Sequence, residues 1–194
     1  MFKKSAMMIP MTAGKRLRRA RVWIVLFMVG LVLAGITAFP LVTESGWLVW
    51  WVTDRQSPLA GLAGHLPSAV AWVRHVHQGL QATSAAYPFL AYGTDWLAFA
   101  HLTIAVAFVG PLRDPVRNIW VLDFGLIACA GVIPLALICG PLRGLPLWWL
   151  PIDMSFGVLG AIPLLLARRH IRSVERESAI TATAPRNLPT PGAA

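Results

Sequence analysis

Three ionisable residues, Asp95, His101 and Asp153, lie inside stretches of sequence that are otherwise apolar. In hydrocarbon each such group costs at least a few kcal/mol on insertion scales, so it is usually retained for a partner or a task. Carboxylates and an imidazole can bind a cation, relay a proton or hold neighbouring helices together. These three residues are therefore the best indication of function in the sequence.

The two carboxylates are predicted to lie at similar depths. At 1.5 Å per residue, Asp95, which follows Tyr92 and Thr94, is about 12 Å into the second apolar run, and Asp153 is about 9 Å into the fourth from the same side. Arg143 lies in the short connection before the fourth run and could fold back toward both acids. Two interpretations stay open: a ligand, ion or proton site formed by these residues, or a polar clamp between helices.

Small residues at helical spacing form two faces that would let another helix approach closely. These helix-packing residues are Ala98 and Ala105, which flank His101, and Gly157, Gly160 and Ala161, which follow Asp153. The simplest interpretation of His101 is a hydrogen-bonded packing residue. A haem with two histidine ligands would need a second histidine inside an apolar run, and this chain has none. A haem shared between subunits, or a chlorin on His101, stays an alternative; no other cofactor and no metal is predicted.

The composition excludes several classes of protein. Only 13% of the 194 residues are charged, about half the share in soluble domains, and the nine tryptophans favour a membrane interface. The net charge of +9 comes from basic residues flanking the first and last apolar runs, a pattern typical of membrane topology signals and of contact with anionic lipids. Proteins that bind single-stranded nucleic acid stack the bases on aromatic residues interleaved with basic ones. The basic segments of this chain lack that pattern, so nucleic-acid binding is not predicted. No catalytic motif is recognisable, so enzymatic activity is not predicted.

Four apolar runs set the predicted fold. Each has the roughly 20 residues needed to cross a ~30 Å hydrocarbon core as a helix. The predicted class is all-α, an integral membrane four-helix bundle with an external amphipathic helix between helices 1 and 2. The predicted segments are a basic cytoplasmic tail at 1–21, spans at 22–42, 87–109, 119–139 and 147–167, an external loop at 43–86 with its amphipathic helix at about 67–82, and a basic, then disordered, cytoplasmic tail at 168–194. Disorder is predicted for residues 1 to about 15 and from about 178 to 194.

The distribution of basic residues predicts how the chain is threaded. The two tails and the 110–118 loop hold 14 Lys and Arg, and the opposite side holds three. Basic residues favour the cytoplasmic side, so both termini are predicted to be cytoplasmic in a bacterial inner membrane. Alternatively, the first run is part of a cleaved signal peptide, since a basic segment precedes it and a stretch of mostly small residues lies at 34–38, near its end.

Local signals predict the details of the third span. Asp114 is expected to be the N-cap, with Pro115 in the first turn. Asp123 is expected to pair with Arg113 or Arg117. The residues Gly140 and Pro141 are expected to end the helix.

The predicted function is a non-enzymatic accessory or assembly subunit that contacts another membrane protein or lipid. The contacts would use the small-residue faces and the external helix. One alternative is an oligomeric proton-coupled carrier using Asp95, Asp153, Arg143 and His101; another is a redox subunit with His101 as a cofactor ligand. The expected partners are the bilayer, anionic lipids at the basic termini, and another membrane protein or a second copy, but no nucleic acid.

Overall fold

A computed structural model describes residues 11–183 of the chain, and within that range it contains helices and no strand. The all-α class is therefore confirmed. The helices are α1 (Met11–Thr37), α2 (Leu41–Thr53), α3 (Ala60–Gly64), α4 (Pro67–Ala86), a 3₁₀ helix (Pro88–Ala91), α5 (Tyr92–Ala107), α6 (Val109–Arg113), α7 (Ile119–Leu142) and α8 (Leu150–Thr183).

Four segments of these helices are long and apolar enough to cross a membrane, as predicted. They are Ala13–Thr37, Pro88–Arg113, Ile119–Leu142 and Leu150–Ile180. The shortest has 24 residues, or about 36 Å of helix, more than a ~30 Å core requires. At most 28% of the most apolar part of each is buried, so most of its surface is hydrocarbon that only lipid or another protein would cover favourably.

The ends of α7 differ from the sequence prediction. Its N-cap is Asn118, not Asp114. The Asp114 carboxylate accepts a hydrogen bond of 3.2 Å from the Arg117 backbone N–H and so caps the turn at 115–118 that precedes the helix. Aspartate commonly stabilises a turn in this way. At the other end α7 continues to Leu142, and the chain turns at Gly144, whose φ of +73° suits glycine.

The two basic ends of the chain are more helical than predicted. The disordered tail was expected from about residue 178, yet α8 continues to Thr183; the rest of that tail, 184–194, lies outside the described residues. Helix α1 already begins at Met11, inside the segment expected to be disordered, and residues 1–10 are not described. Packing between the ends explains this, since Ala13 and Leu17 form a buried cluster with Val174.

The described residues divide into two compact units, the first made of 11–28 with 107–183. Its centre is Phe108, which is fully buried with its ring centroid 4.8 Å from that of Phe27. Helices α7 and α8 pack closely at Gly157, where an added Cβ would lie 2.5 Å from the Cys129 carbonyl oxygen. At its basic end, Arg16 forms an ion pair with Glu177.

The buried residues of α1 and α8 in this unit follow a coiled-coil spacing. Intervals of three and four residues keep apolar side chains on one face of a helix, as in knobs-into-holes packing. The buried positions are Ala13, Leu17, Ala20 and Ile24 on α1, and Leu164, Ala167, Ile171 and Val174 on α8. On each helix the buried face thus continues from the apolar part into the basic end, where Ala13 and Leu17 contact Val174.

The second unit, Val29–Val106, contains a helical layer that connects the first two candidate spans. We call helices α2, α3 and α4 the α2–α4 layer. Within it, α2 is joined to α4 by a hydrogen bond of 2.9 Å between the Ser45 hydroxyl and Nδ1 of His77. The contact is close because Gly46 has no side chain, and a Cβ there would lie 3.3 Å from the imidazole. Helix α4 begins at Pro67, where the amphipathic helix was predicted to begin.

Replacing Ser45 with alanine should loosen the α2–α4 layer. The Ser45 hydroxyl also donates to the Val42 carbonyl oxygen within α2, but only its bond with His77 joins the two helices. Loss of that part-buried bond costs about 1 kcal/mol, which corresponds to roughly fivefold faster amide exchange where the bond limits opening. Hydrogen–deuterium exchange of α2 and α4 would measure it. Ser68→Ala is the control, since Ser68 is exposed and forms no side-chain hydrogen bond within the described residues. Equal exchange in the two variants would contradict the prediction.

Candidate functional site

Asp95 lies in the first turn of α5, where the helix places it beside a row of aromatic side chains. Tyr92, Trp96 and Phe99 recur at intervals of four and three residues, so they share one face of the helix. With Asp95, and with Phe39 from the connection between α1 and α2, they line a pocket of about 320 Å³. The atoms that line it are almost all apolar, so the four aromatic rings form most of its surface and the Asp95 carboxylate oxygens contribute little to it.

The aromatic rings of α5 contact one another edge to face. The Trp96 ring centroid lies 5.9 Å from that of Tyr92, with an interplanar angle of 80°, and 6.0 Å from that of Phe99, at 90°. Such pairs are favourable by about 0.5–1.5 kcal/mol beyond area burial. Each ring is nevertheless more than half exposed, so the pocket opens on the outer surface of α5.

The Asp95 carboxylate is half-buried and, within residues 11–183, forms neither a hydrogen bond nor an ion pair. The neighbouring Thr94 hydroxyl donates a hydrogen bond of 2.7 Å to the Ala91 carbonyl oxygen. Its only proton is therefore not available to the Asp95 carboxylate. Tyr92, the other polar residue named from the sequence, contributes its ring to the pocket. Of the residues singled out from the sequence, the structure therefore brings Tyr92 and Asp95 together.

His101 forms a hydrogen bond with its own helix. Its Nδ1 lies 2.8 Å from the Leu97 carbonyl oxygen; because a carbonyl only accepts, Nδ1 carries a proton and donates this bond. This geometry supports a packing residue. Within the described part of the chain, no three His, Cys, Asp or Glu side chains are grouped closely enough to hold a metal ion.

Asp153 and Arg143 belong to the first unit, whereas Asp95 belongs to the second. Asp153 is half-buried in the first turn of α8, and Arg143 is exposed at the C-cap of α7. Among the described residues of their unit, neither side chain forms an ion pair. The predicted cluster of Asp95, Asp153 and Arg143 stays a prediction.

The small-residue faces are occupied within the chain. On α5, Ala98 and Ala105 are buried, and a Cβ at Gly35 of α1 would lie 3.0 Å from the Ala98 carbonyl oxygen. On α8, Gly157 faces the α7 backbone, and a Cβ at Gly160 would lie 3.1 Å from Sγ of Cys129. Ala161, further along α8, is half-buried. These faces therefore serve internal packing.

Asp123 pairs with a different arginine from those predicted. Its Oδ1 lies 2.6 Å from Nε of Arg168 on α8, so pairing with Arg113 or Arg117 was the wrong prediction. The short hairpin connection packs α7 against α8 in antiparallel fashion and brings these distant positions together. Both side chains are about a third exposed, so the pair contributes at most about 1 kcal/mol.

Sequence reasoning missed the aromatic lining of the Asp95 pocket. The spacing of Tyr92, Trp96 and Phe99 was a detectable signal, because it places three rings on one face of α5. Phe39, by contrast, is distant in sequence and reaches the pocket only through the fold.

Comparisons of the chain with protein-family models, with curated proteins and with solved structures find no match.

Proposed function

We propose that this chain is a multi-pass protein of the bacterial inner membrane that acts as a non-enzymatic accessory or assembly subunit. Its partner would be another membrane protein, bound through the α2–α4 layer. The observation that carries the proposal is the exposed group of tryptophans on this folded layer, which lies between two candidate spans and does not itself span.

Contacts between the ends of the described chain support the multi-pass arrangement. The Arg16–Glu177 ion pair and the buried cluster of Ala13, Leu17 and Val174 join α1 to the end of α8. Segments in contact outside a membrane lie on the same side of it, which requires an even number of crossings and fits four spans. The excess of Lys and Arg in these end segments favours the cytoplasmic side.

The α2–α4 layer has the properties of a contact surface. Helix α2 has 13 residues, about 20 Å, and is too short to cross a bilayer. Two hydrogen bonds fix α2 to the rest of the layer. One is the Ser45–His77 bond, and in the other the hydroxyl of buried Ser57 donates to the Trp51 carbonyl oxygen. Yet Trp47 and Trp50 are 63% and 50% exposed.

Exposed tryptophans on a preformed surface favour binding. Tryptophan is enriched among residues that dominate the energy of protein interfaces, and a folded surface loses little entropy on binding. The small-residue faces are occupied inside the chain, so they are not the surface that we propose. The tryptophans of α2 remain available to a partner at the membrane surface.

Site-specific photocrosslinking tests the proposal. A photoreactive residue in place of Trp47 or Trp50 should yield, in intact membranes, a defined adduct with a second membrane protein. The matched control is the same replacement at Gln78, an exposed position of α4 in the same layer, which should yield little adduct. Uncrosslinked monomer, lipid adducts alone or adducts between two copies of this chain alone would contradict the accessory function.

A further inference from the structure

Basic side chains are concentrated at the end of the first unit where α1 begins and α8 ends. The segments 11–21, 110–123 and 168–183 contain eleven Lys and Arg residues but only four Asp and Glu. We call the Lys and Arg residues of these three segments the basic collar. Together the segments carry an excess of seven positive charges.

Contacts between the three segments make the basic collar part of the fold. Arg21 of α1 donates hydrogen bonds from Nε to the Leu112 carbonyl oxygen, at 3.0 Å, and from Nη2 to the Arg113 carbonyl oxygen, at 3.3 Å. The Arg16–Glu177 ion pair joins α1 to α8. The helices that carry the collar are thus already packed together, so binding would lose little further backbone entropy.

The acidic residues of these segments leave most of the collar without compensation. Two of the four acids are already in ion pairs, Glu177 with Arg16 and Asp123 with Arg168. The two remaining acids are outnumbered by the nine remaining basic residues. The basic collar therefore attracts anions from outside the chain.

On both helices the exposed basic side chains lie opposite the buried face. On α8, Arg169, Arg172 and Arg176 recur at intervals of three and four residues, so they share one face, and all three are exposed. At about 100° per residue, their mean direction is about 150° from that of the buried residues of α8. On α1, Lys15 and Arg19 are also exposed, again about 150° from the buried face.

The length of α8 places the collar at the level of the lipid headgroups. The candidate span Leu150–Ile180 has 31 residues, about 46 Å of helix, which exceeds a ~30 Å core by about 16 Å. Counted from Leu150, the core ends near Arg169, and Arg176 lies about 10 Å beyond it. The polar layer of a bilayer is about 5–8 Å deep on each side, and charges act over a Debye length of about 10 Å. The row of α8 thus lies in or directly above that layer.

We propose that the basic collar binds the phosphate groups of anionic phospholipids. Guanidinium groups form strong, often bidentate hydrogen bonds with phosphate, and clustered basic residues just outside a span attract anionic headgroups. The buried faces of α1 and α8 meet at Ala13, Leu17 and Val174, so basic rows opposite those faces point in different directions. Such an arrangement suits lipids that surround the protein better than an acidic partner protein, which would contact one side.

Electron spin resonance of spin-labelled lipids tests this site on the full chain, reconstituted in phosphatidylcholine vesicles. Lipids held at the protein surface give a motionally restricted component of the spectrum. In 0.1 M NaCl, labelled phosphatidylglycerol should associate about fivefold more strongly than labelled phosphatidylcholine. In 1 M NaCl, where the Debye length is about 3 Å, the preference should largely disappear.

Two results with the wild-type chain would overturn the proposal. Equal association of the two labelled lipids in 0.1 M NaCl would mean that the collar acts only as a threading signal or binds an acidic protein. A preference that persists unchanged in 1 M NaCl would mean that contacts other than the basic side chains select the lipid. Binding requires only that α1 and α8 lie in a membrane, so neither result bears on a partner at the α2–α4 layer.

Two triple variants at the same positions of α8 test the role of charge. Arg169→Gln, Arg172→Gln and Arg176→Gln together remove the row and leave both ion pairs intact; they should reduce the preference to about twofold or less. Lysine at the same three positions keeps the charge and should keep the preference. If the glutamine variant retains the full preference, the row does not bind the lipid and the proposal is wrong.

The matched control removes three arginines outside the collar. Arg55→Gln, Arg74→Gln and Arg143→Gln together change the net charge by the same amount at exposed positions and should leave the preference intact. If the two glutamine variants lose the preference equally, net charge and not the collar attracts the lipid. Both leaflets have the same composition, so the direction of insertion does not affect the result. Circular dichroism and a monodisperse elution profile would verify that each variant is folded.

Discussion

Phe108→Ala is expected to lower the free energy of unfolding by about 3 kcal/mol, near the low end for a fully buried phenylalanine because in lipid the loss is mainly of packing. The side chain is completely buried, its ring packs 4.8 Å from the Phe27 ring, and it lies beneath Gly125 of α7. Alanine would leave a cavity among three helices. The midpoint of thermal unfolding, followed by circular dichroism in detergent, would measure the loss.

Phe156→Ala is the control for this substitution. Phe156 belongs to the same unit but is 67% exposed on α8, so its removal leaves no internal cavity and should lower stability by less than about 1 kcal/mol. If the two variants unfold at the same temperature, Phe108 does not hold these helices together.

Gly157→Leu should have a comparable effect of about 3 kcal/mol, the upper end of the usual range for overpacking, because inserting a side chain between packed helices forces them apart. The first added carbon would lie 2.5 Å from the Cys129 carbonyl oxygen and 3.1 Å from Cβ of Val132. The nearer atom belongs to the backbone, so it cannot move aside by changing a rotamer. For a chain of this size the expected fall in melting temperature is about 6–12 °C.

Gly131→Leu provides a matched comparison on the facing helix. Gly131 also lies in a candidate span, in α7, but nothing stands within 4 Å of a Cβ placed there, so the new side chain would extend into lipid or detergent. We expect its melting temperature to stay within about 2 °C of the wild type. Leucine also has the higher helix propensity, so a loss as large as that of Gly157→Leu would show that the α7–α8 contact at Gly157 does not set the cost.

The candidate spans could be predicted because lipid imposes a simple requirement. An apolar run of sufficient length must be helical to satisfy its backbone hydrogen bonds, so α7 and the apolar part of α8 follow from composition alone. The start of α4 at Pro67 was also predictable, since proline suits a first helical turn. These features depend only on local sequence.

Features that depend on distant residues could not be predicted. Helix α8 continues to Thr183 because Val174 and Glu177 find partners on α1, more than 150 positions away in sequence. The pairing of Asp123 with Arg168 likewise needs the packing of α7 against α8. Composition alone favoured a disordered tail and a nearer arginine, and in both cases the tertiary contact decided the outcome.

In the candidate site, too, features set by local sequence could be predicted and those that depend on distant residues could not. Asp95 was recognisable because a carboxylate in an apolar run is conspicuous. Its pocket depends on Phe39, which only the path of the chain brings near. His101 attracted attention as a ligand candidate, but its bond to the Leu97 carbonyl satisfies Nδ1 locally, which no spacing rule could have established.

The contacts of α1 bear on how the chain would be processed. Within one unit its Phe27 ring covers Phe108, and within the other its Gly35 packs on Ala98. A leader peptidase cutting after Ala38 would strip both neighbours away, leaving a mature product with two uncovered faces. Phe108 and Ala98, which are both buried in the uncut chain, would then face lipid or a partner.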